Sequence, residues 1–332
     1  MRPNAPGHIF IGNLALDDIV YPDGQTRMAA PGGNSLYAAI GANIWSDEVG
    51  LAAIVGRDWP KRYTKKLLEH GIDVSGVQAR DVETMRAWAL YEADGRRNYV
   101  SRNKSVAKLT PSPYSSIPPT LDEVLAFSRA AETLHLDLSP APDDLPPEYL
   151  RYAKTLHLCP MRLQTLLVWR EAPTEAATIS VDILPYPLAG NLDDPQFLSL
   201  LAGVDIFMPS QAEAEYLAPA RNLAQLCKDL AQRGPKIVVI KLGDQGALVY
   251  DKSRDKLQRI PAYPTNAVDL TGAGDSFCGG FSVGLQQSGN PFEAARYGAV
   301  SASFLIESFG ALHALKVSRA AAEKRLAALR NL

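Results

Sequence analysis

DLTGAGDSFCGGF, residues 269–281, sets three small residues, Gly272, Ala273 and Gly274, between two carboxylates and runs directly into an amphipathic helical pattern. A helix that begins at residue 274 or 275 exposes unpaired backbone N–H groups, and glycines there let an anion approach with no Cβ in the way. The stretch therefore reads as an anion hole with Asp275 beside it. A carboxylate in that place is a poor anion ligand but a suitable base for a hydroxyl that attacks a phosphoryl group. Taken alone, Asp275 serves equally well as a helix N-cap.

Working outward from this stretch, short apolar β-rich runs alternate with helix-length segments, the mark of parallel strands joined by crossover helices. The strand candidates are HIFIGN (8–13), GLAAIVG (50–56), TLHLDL (133–138), TLHLCP (155–160), TISVDI (178–183), DIFMPS (205–210) and KIVVIKLG (236–243). They predict an α/β fold, a doubly wound and mostly parallel sheet flanked by helices. Helices are expected after Gly33, from Trp59, and over LAQLCKDLAQRG, whose final Gly234 suits a C-cap. Beyond Gly243 the pattern gives strands ALVYD and RIPAYP. Helices then follow from Gly274 to about Gln287, from Pro291 to about Ser308 and from Val317. Two regions break the rhythm. Residues 17–29 and 85–101 alternate as strands do, and Asp94-Gly95 is a hairpin turn signal. Extra strands inside a βαβ series predict a small separate sheet, a lid over the carboxyl ends of the main strands, where open α/β folds bind ligands. The proline-rich stretch 110–120 is read as a connector, because alternation resumes on both sides. Residues 1–332 are thus one domain.

A net charge of −2 offers no global attraction to nucleic acid or an anionic membrane, so any anionic ligand must be held locally. Cys159, Cys227 and Cys278 are widely separated and odd in number, fitting neither a disulfide framework nor a zinc knuckle, which points to a reducing cytoplasm. Neither an export signal nor an apolar run of ~18 residues is legible, so no membrane span is expected. His8, His70, His135, His157 and His313 show no metal-ligand spacing and read as core or strand-end residues.

The opening stretch resembles the C-terminal signature of the PfkB carbohydrate-kinase family, the ribokinase-like kinases, which reads D-T-x-G-A-G-D and leads into a helix. PGGNSLYAAIGANIW (31–45) resembles the family's G-G-N segment. IGNLALDDIV (11–20) is similar to its opening strand with a sugar-binding aspartate, here Asp17, and KLGDQGALV (241–249) to its nucleotide-side strand, turn and strand. The resemblance spans the chain.

It implies that Asp275 is the general base and that the backbone of Gly272, Ala273 and Gly274 stabilises the transferring phosphoryl group. Asp17, Gly33 and Asn34 would hold the substrate. Physically, a carboxylate and an amide together accept from and donate to vicinal hydroxyls, while Gly32-Gly33 lets a ligand lie against backbone or simply turns the chain into a helix. Lys241, Gly243 and Gly246 fall where the family contacts ATP. Lys241 either supplies charge to the phosphates or ends a strand in solvent. Ala299, Ser303 and Gly310-Ala311 either flank adenine or pack helices. The family's N-x-x-E, which arranges water around Mg2+, is replaced here by SQAE, so Glu213 stays while Ser210 stands for the asparagine, and weaker metal affinity is expected. The alternative is that Glu213 merely favours a helix dipole. Asp269 and the backbone near Thr271 resemble the monovalent-cation loop of some members, which brings in K+. On the lid, Trp88, Tyr91 and Tyr99 either line a pocket or pack the small sheet, and Arg96, Arg97, Arg102 and Lys104 form a basic rim.

The function implied is ATP- and Mg2+-dependent phosphorylation of a hydroxymethyl group of a sugar, polyol or nucleoside. A catalytically silent relative that binds sugar or nucleotide is the competing class, with Ser210 as its support. A dinucleotide oxidoreductase is disfavoured because no G-x-G-x-x-G follows the first strand. Exposed lid edges suggest a homodimer.

Overall fold

The computed structural model of the chain describes residues 5–21, 24, 26–91, 97–101, 138–172, 174–184 and 191–332, with backbone alone for 87–91 and 97–101. The amino-terminal part contains β1 (His8–Asn13), β2 (Ala15–Val20), β3 (Thr26–Gly32), α1 (Asn34–Asn43), β4 (Val49–Gly56), α2 (Lys61–Glu69), β5 (Ile72–Arg80), β6 (Met85–Tyr91) and β7 (Arg97–Ser101). The middle part contains α3 (Pro147–Tyr152), β8 (Thr155–Leu158), α4 (Leu163–Arg170), β9 (Thr178–Val181), α5 (Pro195–Ala202), β10 (Ile206–Phe207), α6 (Gln211–Leu217) and α7 (Leu223–Gln232). There follow β11 (Ile237–Lys241), β12 (Ala247–Asp251), β13 (Lys256–Ile260), α8 (Ala273–Ser288), α9 (Pro291–Leu305) and α10 (Arg319–Arg330).

Nine strands form one sheet in the order β13-β12-β11-β10-β9-β8-β1-β4-β5, parallel from β5 through β11 and antiparallel at the β12 and β13 edge. β1 and β4 are buried at every position, which is why they read as unbroken apolar runs: both faces are covered. Phe10 packs into a core with α1, α8, α9 and α10, while its neighbours Ile9 and Ile11 point to the opposite core with α4, α5 and α7.

The sheet contains a strand that the apolar runs do not flag. β5 is an edge strand with alternating burial, so its outward positions are polar (IDVSGVQAR) and no continuous apolar run appears. The 205–210 strand shrinks to Ile206–Phe207, beyond which pairing continues only singly: the Met208 N–H donates to the Val181 carbonyl, the Pro209 carbonyl accepts from the Lys241 N–H, both at 2.9 Å, and Ser210 keeps one bridge to Lys241. Residues 133–137 of the TLHLDL run (133–138), the connector at 110–120, the Asp94-Gly95 turn and the rim residues Arg96, Arg102 and Lys104 lie outside the described residues.

The lid is present as a four-stranded sheet in the order β3-β2-β6-β7. Asp18, fully buried, stitches it together: its Oδ1 accepts from the Ala29 N–H at 2.7 Å and pairs with Arg86 Nη2 at 3.2 Å. The Tyr63 hydroxyl of α2 donates to the Ala29 carbonyl at 2.6 Å, tying the lid to the body. β1 runs directly into β2, so the lid stands at the carboxyl end of the main sheet. The chain moves from β1 outward to β4 and β5, then restarts on the other side at β8. β1 and β8 therefore flank the topological switch point, where a crevice opens.

Candidate active site

The first sheet strand builds the acceptor side. Gly33 starts α1 with φ of 104°, and a Cβ there would collide with the Asn13 carbonyl, so glycine is required at this corner. Asn34 locks it: Oδ1 accepts from the N–H groups of Asn13 at 2.8 Å and Ser35 at 2.7 Å, while Nδ2 donates to the Pro160 carbonyl at 2.6 Å. The amide oxygen is thus committed to backbone, and only one Nδ2 hydrogen is left over for a ligand. Asp17 stands beside this corner, its Oδ2 lying where a Cβ on Gly32 would be.

The phosphoryl side is made by the start of α8. Gly272 is its N-cap, with φ of 72° and no side-chain cap bond, and a Cβ on it would enter the Tyr37 ring. Asp275 is inside the first turn, not at the cap, where the helix dipole favours its ionised form. The Ala273 N–H donates to the Leu270 carbonyl at 3.3 Å. Among the described residues the N–H groups of Gly272 and Gly274 have no such acceptor, so the bowl offers these two amides and not three. Close approach of Gly279 to the Ala38 carbonyl and of Gly41 to Ser276 packs α8 against α1 and fixes the two halves relative to each other.

The halves meet in a cavity of about 240 Å³, lined by Ala15, Asp17, Gly33, Asn34 and Tyr37 from one and by Thr271, Gly272 and Asp275 from the other. A larger hollow of about 440 Å³ lies between residues 78–80 and 143–146. It carries none of the motif residues, and its Arg80 and Asp144 neutralise each other at 2.8 Å.

Lys241 does not end its strand in solvent. It is buried, its Nζ forms an ion pair with Asp182 and approaches Cys278 Sγ at 3.7 Å, and a Cβ on Gly274 would lie 3.4 Å from it. Burial alone would discharge the ammonium. The Asp182 carboxylate more than offsets this and holds Lys241 charged, well above its usual range. Gly243 and Gly246 form the turn beyond it, where the Leu242 N–H donates to the Gly246 carbonyl at 2.7 Å, and neither lines the cavity.

Glu213 closes a capping box on α6: its Oε2 accepts from the Ser210 N–H at 2.6 Å while Ser210 Oγ accepts from the Glu213 N–H at 3.3 Å. One carboxylate oxygen is therefore engaged and the other is left to orient water. Among the described residues no group of three His, Cys, Asp or Glu side chains could enclose a metal ion. The donor set suits a Mg2+ that arrives on nucleotide phosphates and keeps its waters. Asp269, the residue read as part of a monovalent-cation loop, is engaged with its own turn. It is buried, Oδ1 accepts from the Thr271 N–H at 2.9 Å and from its hydroxyl at 2.5 Å, and Oδ2 accepts from the Gly310 N–H at 3.2 Å. It organises the 269–271 turn against residue 310.

His8 and His157 are core residues, as read from the apolar strands. His8 Nδ1 meets Thr155 Oγ1 and His157 Nδ1 meets Ser180 Oγ, both at 2.9 Å. Burial, with Lys154 beside it, lowers His8 to about 4; burial, with Lys241 nearby, lowers His157 to about 3. Sequence reasoning missed Tyr37 and Asp182. Tyr37 is one turn after Asn34 and so shares its helix face. Asp182 is a lone carboxylate at the end of the apolar run TISV, an unusual residue to bury.

A ribokinase-like sheet with a lid, and a cavity that joins a helix N-terminus, a carboxylate and a hydroxyl-binding corner, define a phosphotransferase fold. The model of the pfkB family carbohydrate kinase matches residues 18–317, and the chain belongs to that family. It is 27% identical over 303 residues to a cytidine kinase of Thermococcus kodakarensis, covering 91% of this chain and 96% of that protein. Two solved structures share the fold. A putative ribokinase II from E. coli, in complex with ATP and Mg2+, has a TM-score of 0.71 at 18% identity over 97% of this chain and 99% of its own. A nucleoside kinase from Burkholderia thailandensis, in complex with inosine, has a TM-score of 0.71 at 16% identity, covering 97% of both chains. Among the described residues no helix is long and apolar enough to cross a membrane.

Proposed function

We propose that this protein transfers the γ-phosphoryl group of ATP to a hydroxymethyl group of a sugar or sugar-like acceptor. The observation that carries the reading is the convergence of Asp275 and the Gly272 bowl with Asp17 and Asn34 on one cavity. Asp17 accepts from acceptor hydroxyls and the free Nδ2 hydrogen of Asn34 donates to one, which aims the hydroxymethyl oxygen at Asp275. The carboxylate takes the hydroxyl proton as the oxygen attacks the γ-phosphorus in line, and the bond to the β-phosphate oxygen breaks to release ADP. Negative charge on the transferring group is met by the Gly272 and Gly274 amides and by Lys241. Glu213 would hold a nucleotide-borne Mg2+ through water, and the ion would supply charge neutralisation to the phosphates. Free, buried cysteines agree with action in the cytoplasm. A dimer through β3 or β7, the outer strands of the lid, is part of the same proposal and is read by solution mass.

A nucleoside acceptor is the second reading, favoured by the nearly full-length similarity to the cytidine kinase. Both acceptors present a primary hydroxyl on a five-membered sugar ring. ADP release measured across ribose, fructose, polyols, cytidine and inosine decides between them. With the best acceptor, Asp275→Asn is expected to lower kcat by about 10³-fold. Equal turnover by wild type and variant would remove Asp275 from the role of base, and no turnover in either would leave a silent binding protein as the better account.

A further inference from the structure

The Lys241–Asp182 pair lies beneath the bowl without being part of its wall. An ammonium has three hydrogens. Asp182 takes one and the thiol of Cys278 lies near enough to take another weakly, which leaves a third without an acceptor among the described residues. Asp182 is anchored on its other side, where Oδ1 accepts from the Ile183 N–H at 2.9 Å. The lysine side chain is 10% exposed against 3% for the aspartate, so the lysine is the more accessible member of the pair. Its Nζ lies against Gly274, one of the two residues whose N–H groups face the bowl. Such a pair gains little for folding over an apolar pair of the same volume.

We propose that Asp182 is a positioning residue: it holds the Lys241 ammonium under Gly274 and neutralises it while the bowl is empty, so that the ammonium turns its unused hydrogen to the phosphoryl group only as negative charge accumulates there. The inference rests on the kinase reading above. It assigns Asp182 a share in when the charge acts and not only in where it sits. An unneutralised ammonium would grip ground-state nucleotide and transition state alike, which raises affinity without raising kcat. The charged and titratable groups facing the pair are Glu213 from α6, Asp275 and Cys278 from α8, and His157 and Cys159 from β8 and its end. The pair thus lies within the field of two further carboxylates, Glu213 and Asp275, so removing the Asp182 charge shifts the local potential towards anions.

The test is Asp182→Asn, which keeps the shape and removes the charge. Binding of a nonhydrolysable ATP analogue with Mg2+ is measured by calorimetry, alongside kcat with saturating acceptor. The expected result is a split: analogue affinity rises by about tenfold while kcat falls by about the same factor, because the ground state gains what the transition state already had. A merely structural role would weaken binding and turnover together, and that outcome, or no change in either, overturns the proposal. If the variant does not fold, the double variant Lys241→Met with Asp182→Leu replaces the pair by apolar volume. It is expected to fold and to lose kcat by about 10²-fold, and retention of wild-type kcat overturns the proposal. Wild type that neither binds the analogue nor turns over would instead overturn the kinase reading itself. An active wild type with an unaltered Asp182→Asn variant sinks only the positioning role.

Discussion

Acidification should unfold this protein through two histidines that never meet a ligand. His8 and His157 are buried neutral, with folded-state pKa values lowered from 6.5 to about 4 and about 3, by burial first and by Lys154 and Lys241 second. An imidazole whose folded pKa is depressed stabilises the fold fully above its unfolded pKa. The contribution is lost as pH falls from 6.5 towards the folded value, because only the unfolded chain takes up the proton. At about pH 5 each residue is some 1.5 units below its unfolded pKa, and at about 1.4 kcal/mol per unit each loses about 2 kcal/mol. The pair together costs about 4 kcal/mol between about pH 7.5 and pH 5, a large fraction of a typical domain's stability. Urea denaturation across that range measures it, with the double variant His8→Gln, His157→Gln as reference. Carboxylates titrate in both proteins, so the difference between them isolates the imidazoles. Wild type should lose about 4 kcal/mol more than the variant over this interval. Equal losses in the two would refute the claim that burial keeps these rings neutral.

Three further outcomes are expected. Gly272→Ala forces a left-handed backbone on a residue with a Cβ and pushes that Cβ into Tyr37. It should cost about 1–2 kcal/mol in urea denaturation and lower kcat by displacing the bowl, and unchanged kcat would show that the bowl is not used. Ser210→Asn keeps a side chain able to cap α6 and restores the amide that the family uses near Mg2+. The Mg2+ concentration needed for half-maximal rate should fall with little change in urea midpoint, and a rise would mean that the capping box, not the metal, sets this position. Arg86→Met leaves the fully buried Asp18 carboxylate without its guanidinium and loosens the lid. Stability should drop by about 3 kcal/mol, with KM for the acceptor rising more than KM for ATP; equal effects on both would detach the lid from acceptor binding.

Much of the fold is visible along the chain because parallel strands buried on both faces leave unbroken apolar runs, as in HIFIGN and KIVVIKLG. The edge strand β5 leaves none, because half of its side chains face water. In the lid, β2 is buried at all but its last residue, and Asp17 and Asp18 in its middle are what keep it from reading as an unbroken apolar run. The two glycines at 272 and 274, and the carboxylate that follows them, also declare themselves locally, since a helix N-terminus is made by neighbours in sequence. Side chains that act at a distance do not. Asn34 reads as a hydroxyl ligand, yet its oxygen is consumed by Asn13 and Ser35, a fact set by how β1 meets α1. Glu213 reads as a metal residue or a helix-dipole residue, and one of its oxygens closes a cap.

The sequence by itself determined that a glycine-led helix start with a carboxylate in its first turn, and a second glycine-led corner at Gly33, exist, because each is encoded within a few consecutive residues. Only the tertiary structure decided that Lys241 is buried against Asp182, a partner 59 positions away. β9 and β11 lie on either side of β10, and the long lysine stem spans that intervening strand to reach the carboxylate. Strand order and register place those two charges together beneath Gly274, and neither is written in the residues surrounding either one.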